Sequence, residues 1–204
     1  MSWISVAGLD PSLRNWGWSY GWLELDTGEI VIKHVGVLNP VLPTGKQVRQ
    51  NSKDLTSAQQ LYAGAREAIQ GAQAVFAEVP VGSQSARAMA SYGICCGVLG
   101  GLRAQGIPFF EVTPGEVKQI SGHGKKATKR QMIQWAYDQH PSADWPFQTQ
   151  KGKTTIIESK AEHMADSVAA IHAGVAGNEF QQMRAFLHGS QPQQMRELLH
   201  ANHA

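Results

Sequence analysis

Short apolar runs alternate with longer amphipathic stretches along this chain. Residues 3–7 (WISVA) form the first run, which stops at Gly8-Leu9-Asp10-Pro11 and so reads as a buried strand ended by an acid. Residues 16–25 alternate bulky and small groups, meet the turn signal Asp26-Thr27-Gly28-Glu29, and resume as IVIKHVGVL over 30–38, which predicts a β-hairpin. Residues 39–52, rich in Pro, Gly, Gln and Asn, predict a loop. Leu55, Leu61, Ala65, Ala68 and Ile69 recur at helical spacing and predict a helix over about 54–71. A strand follows at 74–78, ending on Glu78, then a loop at 79–83, a helix over about 84–105 and a strand at 108–113. Two helices are predicted at about 114–120 and 127–139, broken by Gly122-His123-Gly124, and another at about 158–175. The polar, Pro-containing residues 140–155 read as a loop, and the last thirty residues as helical in part.

Three strands, then strands alternating with helices, imply an α/β fold with a mixed five-stranded sheet flanked by helices. The 204 residues suit one domain at 1–175 with a C-terminal helical appendage at 176–204. A content of 42% hydrophobic and 17% charged residues is globular rather than disordered. No apolar run is long enough to span a membrane, and no secretory signal is expected at the N-terminus. The adjacent Cys95 and Cys96 cannot form an ordinary disulfide with each other, which fits the cytoplasm. The formal charge of +2 does not by itself identify a nucleic-acid binder.

Carboxylates change that picture. Asp10 and Glu78 each end a predicted strand, where ligands of open α/β sheets collect. Within Glu158-Ser-Lys-Ala-Glu162-His163-Met-Ala-Asp166, helical spacing puts His163 and Glu162 on the same face as Asp166, ahead of a small apolar run. Acids heading a buried face need a partner or a cation, and Mg²⁺ prefers oxygen ligands. Two such ions would activate water for phosphodiester cleavage. Each acid alone reads equally as a turn former or helix cap; their order on this strand and helix pattern gives them weight.

That order, with Gly8, Asp10, Pro11 and a later Gly17, resembles the RuvC family of Holliday-junction resolvases, in the ribonuclease H-like nuclease superfamily. The resemblance extends over residues 4–175; Ser12 stands where the family has a Gly, and His163-Met-Ala-Asp166-Ser-Val-Ala fits its third block. It implies a ribonuclease H-like fold and two Mg²⁺ ions per subunit, with Mn²⁺ able to substitute, held by Asp10, Glu78, His163 and Asp166. Glu162 is a rival ligand to His163, because a hard cation prefers oxygen. The implied activity is resolution of four-way junctions, leaving 5′-phosphate and 3′-hydroxyl ends, by a homodimer. The short chain and its departures point to a phage-encoded member acting in the host cytoplasm. The alternatives are a broader branched-DNA, flap or RNA-processing nuclease, and a non-cutting junction-binding protein.

Lys118, Lys125, Lys126, Lys129 and Arg130 lie in a stretch, 117–137, without an acid, which points to DNA phosphates. In the family, lysines here contact DNA, and Lys118 and Lys129 match best. Thr128 is a candidate helix cap. Gly93, Gly97 and Gly101, in line with Ala86 and Ala90, suit close packing on the sheet or, as the resemblance implies, a dimer interface; Cys95 and Cys96 are expected to be buried there. The family's stacking aromatic is replaced by Val81, with Gln84 or Arg87 as substitutes for DNA contact. Trp16, Trp18, Tyr20 and Trp22 read as core residues, with stacking on a ligand as the alternative.

Overall fold

The computed structural model describes residues 2–189. Strands β1 (Trp3–Asp10), β2 (Trp16–Glu24) and β3 (Ile30–Leu38) form an antiparallel meander. Strands β4 (Ala74–Glu78) and β5 (Phe109–Val112) add in parallel beside β1, so the mixed sheet runs β3-β2-β1-β4-β5. β1 extends beyond the predicted 3–7 because Gly8, Leu9 and Asp10 stay in register with Ser19, Trp18 and Gly17. Cross-strand pairing overrides the local turn signal, and Asp10 becomes the last residue of the strand.

Alternation along β1 and β4 sends successive side chains to opposite faces. Ala7, Leu9, Val75 and Ala77 pack against helices α1 (Gln50–Ala68) and α2 (Ala86–Arg103) through Leu61, Ala65, Cys95 and Leu102. Val6, Ala74 and Phe76 pack on the other face, against α4 (Lys129–Gln139) and α5 (Glu158–Ala176). Asp10 and Glu78 share the parity of Val6 and Phe76, so both carboxylates belong to the α5 side. A short helix, α3 (Pro114–Gln119), also packs on α5. The Thr113 and Thr128 hydroxyls cap α3 and α4, each with a reciprocal side chain three residues on.

Helix α6 (Asn178–Gly189) carries Phe180 into the core, fully buried against Phe76 and Phe110 at 5.3 and 5.2 Å. Residues 190–204 of the expected appendage lie outside the described residues. Among the described residues, no helix is long and apolar enough to cross a membrane.

The loop expected at 140–155 is corrected by a second, two-stranded sheet, β6 (Phe147–Gln150) and β7 (Lys153–Ile156). Its residues through Thr155 are exposed, so no apolar alternation announces it. The aromatic hairpin is mixed: Trp16 is fully buried, Trp18 and Tyr20 line a groove of about 550 Å³ against α1, and Trp22 is 38% exposed. Cys95 is buried as expected, but Cys96 is exposed, because adjacent helical positions face different directions.

Beneath α4, His140 and His172 meet Nε2 to Nε2 at 2.8 Å, and the Ile32 N–H points at His140 Nδ1 from 3.5 Å. With Nδ1 accepting, the neutral His140 ring carries its proton on Nε2 and donates it to His172. Burial lowers both, His140 to about 4 and His172 to about 3, with the His140 charge also opposing His172 protonation. The unfolded chain binds these protons near pH 6.5 and the folded one does not, so this pair destabilises the fold as pH falls below about 6.5. His140 alone accounts for about 3 kcal/mol by pH 4. Thermal midpoints from pH 7.5 to 4 should therefore fall more steeply for the wild type than for His172→Phe.

Candidate active site

Helix α5 reaches the strand ends because two glycines let its backbone down onto the sheet. A Cβ at Gly17 would overlap the His163 carbonyl, and one at Gly8 would overlap the Ser167 carbonyl. Positions 163 and 167 are one helical turn apart, so one line of α5 rests on Gly17 of β2 and Gly8 of β1. Gly17 pairs directly with Asp10. The contact that seats the helix therefore also sets His163 beside Asp10, where Nδ1 lies 2.8 Å from Oδ2.

The two side chains are largely buried, 17% and 13% exposed. The hydrogen bond to Asp10 raises His163 above its ordinary value, with the charges of Glu162 and Asp166 adding to it. Burial raises Asp10 in spite of that bond. Glu78 is pushed up to about 8, first by burial and then by the charges of Asp10 and Asp166, with Lys118 opposing. Asp166 is pushed up to about 7 by burial and Asp10, with His163 and Lys118 opposing. Three carboxylates from β1, β4 and α5 thus share one poorly solvated region and raise one another's proton affinity.

Of the rival ligands, His163 is the one in contact with Asp10. Glu162 binds Lys129 at 2.6 Å, and its other oxygen lies 3.4 Å from His163 Nε2. Three carboxylates and an imidazole fit a hard divalent cation by their donor chemistry. They are not drawn into a finished cage: among the described residues, no three His, Cys, Asp or Glu side chains are grouped as a metal site. The Cys95 thiol is pushed up to about 12, mainly by burial, and is no nucleophile near neutral pH.

The predicted basic strip is partly neutralised in space. Lys129 pairs with Glu162, and Arg130 with Glu158 at 3.1 Å; both acids come from α5 rather than from the strip itself. Lys118 faces the carboxylates, while Lys125 and Lys126 project from the exposed turn between α3 and α4. Arg87 is committed to Asp54 through two 2.7 Å bonds linking α2 to α1, whereas Gln84 and Val81 are exposed. A Cβ on Gly93 or Gly97 would meet nothing within 4 Å, so at these two positions the stripe is not packed inside the chain; Gly101 does lie against Tyr62. The acidic partners of the strip were hidden from sequence reasoning, although Glu158 and Glu162 sit at the spacing that lines one helix face.

No protein-family model matches the sequence, and no curated protein matches it. Among solved structures, the fold is similar to Thermus thermophilus RuvC in complex with a Holliday junction substrate. That match has a TM-score of 0.59 and 20% identity, covering 85% of this chain and 94% of the other. A second Thermus thermophilus RuvC structure matches with a TM-score of 0.57 and 19% identity over 84% and 95% of the two chains. Sheet order, the mixed strand directions and these two likenesses together show that the chain has a RuvC-like, ribonuclease H-type fold.

Proposed function

We propose that this protein is a divalent-cation-dependent endonuclease that resolves four-way DNA junctions. The observation that carries the reading is the meeting of Asp10, Glu78, Asp166 and His163 at the strand ends of this fold. The RuvC neighbour bound to a Holliday junction supports branched DNA as the substrate class. Asp10, Glu78, His163 and Asp166 would hold two Mg²⁺ ions, or Mn²⁺ in their place. Bound there, the ions would supply water activation and charge stabilisation for phosphodiester hydrolysis, for which we propose 5′-phosphate and 3′-hydroxyl ends.

The chain's own residues prepare this chemistry. The buried carboxylates repel one another when ionised, which a cation relieves without protonating them, and His163 keeps Asp10 oriented through its 2.8 Å bond. Lys118, Lys125 and Lys126 provide phosphate contacts beside it, with Lys129 and Arg130 shared between DNA and the acids of α5. The exposed stripe of Ala86, Ala90, Gly93 and Gly97 on α2 provides the homodimer contact, and a two-fold pair suits symmetric cutting of two strands. We place the enzyme in the cytoplasm, that of the host if phage-encoded.

The decisive comparison is cleavage of a synthetic mobile junction against flap, duplex and RNA–DNA hybrid substrates in Mg²⁺. Junction rates at least about tenfold above the others are expected, a difference of about 1.4 kcal/mol in the barrier. Comparable rates on all four would contradict junction selectivity and favour the broader nuclease. Binding without cleavage in Mg²⁺ or Mn²⁺ would identify a junction-binding protein instead.

A further inference from the structure

Apart from Ile156, which packs on the core, and Phe147 beside Tyr137, the β6–β7 hairpin has no role in the core or among the carboxylates. Every residue from Phe147 to Thr155 is exposed, and the two strands pair only with each other. Between Gln148 and Thr155 the hairpin has no apolar face, and such a two-stranded ribbon is marginal in water, so burial does not account for its outer part. Its cross-strand contact is polar, between the Thr149 and Thr154 hydroxyls at 3.0 Å. Its base, by contrast, is firmly rooted. Trp145 is buried and donates to the His140 carbonyl, the Ile157 N–H donates to the Pro146 carbonyl at 2.7 Å, and the Phe147 ring meets Tyr137 edge-on.

The tip is made by Lys151 (φ 50°) and Gly152 (φ 76°), the two left-handed positions of a two-residue turn. Lys151 is the only non-glycine residue with positive φ among the described residues. Asn or Gly would occupy that position with less strain, so the backbone bears a cost that places an ammonium group at the tip. Residues 145–157 contain Lys151 and Lys153 and no acid. Unlike Lys129 and Arg130, neither lysine pairs with a carboxylate among the described residues. β7 leads through Ile157 directly into the α5 turns that carry His163 and Asp166, so the arm rises from the same end of the helix as the candidate active site.

We infer that the β6–β7 hairpin is an arm that grips the phosphate backbone of the nucleic acid held at the carboxylate site, through Lys151 and Lys153. This rests on the nucleic-acid reading above. A two-stranded ribbon is of a size that a duplex major groove admits, and the Thr and Gln side chains along it can hydrogen-bond to phosphate and sugar oxygens. Each lysine that neutralises a phosphate adds about 0.9 to the slope of log affinity against log salt.

The test uses the full chain and a labelled four-way junction, with Ca²⁺ in place of Mg²⁺ to keep the DNA intact. Affinity is measured between about 50 and 200 mM salt. The double variant Lys151→Asn with Lys153→Ala should bind about tenfold or more weakly at the higher salt, with the salt slope reduced by about 2. Because Asn tolerates the left-handed turn, its thermal midpoint should be unchanged or higher, which separates lost contact from lost fold. The control, Arg66→Ala with Arg103→Ala, removes two charges in the last turns of α1 and α2, away from the Glu78 end of β4, and should leave the slope unchanged. A wild-type slope in the hairpin variant overturns the arm while leaving the nuclease reading intact. A wild type that binds no nucleic acid overturns both.

Discussion

Asp10→Asn should abolish Mg²⁺-dependent cleavage of a four-way junction, by at least about 10³-fold, while junction binding survives. Asp10 is the strand-end carboxylate that meets His163 and raises the proton affinity of both Glu78 and Asp166. Losing it removes the centre of the proposed cation-binding set without touching the lysines proposed to hold DNA. Full cleavage by the variant would sink the assigned site.

Glu78→Gln sharpens the same test, because its effects on activity and stability should have opposite signs. Glu78 titrates at about 8 in the fold against about 4.5 unfolded. Between those values the folded chain binds the extra proton, so this group lowers stability as pH rises through the window. The loss is about 3 kcal/mol at pH 7 and continues until about pH 8. Glu78→Gln should therefore raise the metal-free thermal midpoint at pH 8 by about 5 °C or more while eliminating cleavage. Adding Mg²⁺ should raise the midpoint of the wild type and do little for the variant. A glutamate that merely holds the fold would produce a lower midpoint on substitution.

Gly17→Ala is expected to have the second large effect, although no chemical group is lost. The added methyl would collide with the His163 backbone, which belongs to a helix and cannot swing aside as a side chain can. Overpacking of this kind costs typically 1–3 kcal/mol, and lifting α5 would part His163 from Asp10. Both a lower thermal midpoint and a collapse of cleavage should follow. Gly100→Ala is the contrasting variant: its Cβ meets nothing within 4 Å, and alanine favours the helix by about 1 kcal/mol. Equal midpoints for the two variants would show that α5 is not seated by Gly17.

Much of this arrangement was legible in local patterns. Apolar runs ending at Asp10 and Glu78 marked strands whose last side chains lie at one end of the sheet on the α5 side, and the meander followed from alternation around Asp26-Thr27-Gly28-Glu29. Thr128 was readable as a cap because its hydroxyl acts on a backbone N–H three residues away. The His163 and Asp166 pair was readable for a similar reason, since helical spacing is a local property. The β6–β7 hairpin was not readable in this way. Its strands face water on both sides, so burial left no alternation to detect.

What composition and periodicity determined, then, was the set of elements, their order in an α/β sheet, and the carboxylates at two strand ends. Tertiary structure decided which groups meet. It brought His163 rather than Glu162 to Asp10, gave Lys129 and Arg130 acidic partners from α5, and left Cys96 and the Gly93–Gly97 stripe outside the core. The physical reason is that periodicity records only which side of an element is dry. Contact between elements depends on how closely their backbones approach, and here two glycines beneath α5 set that distance.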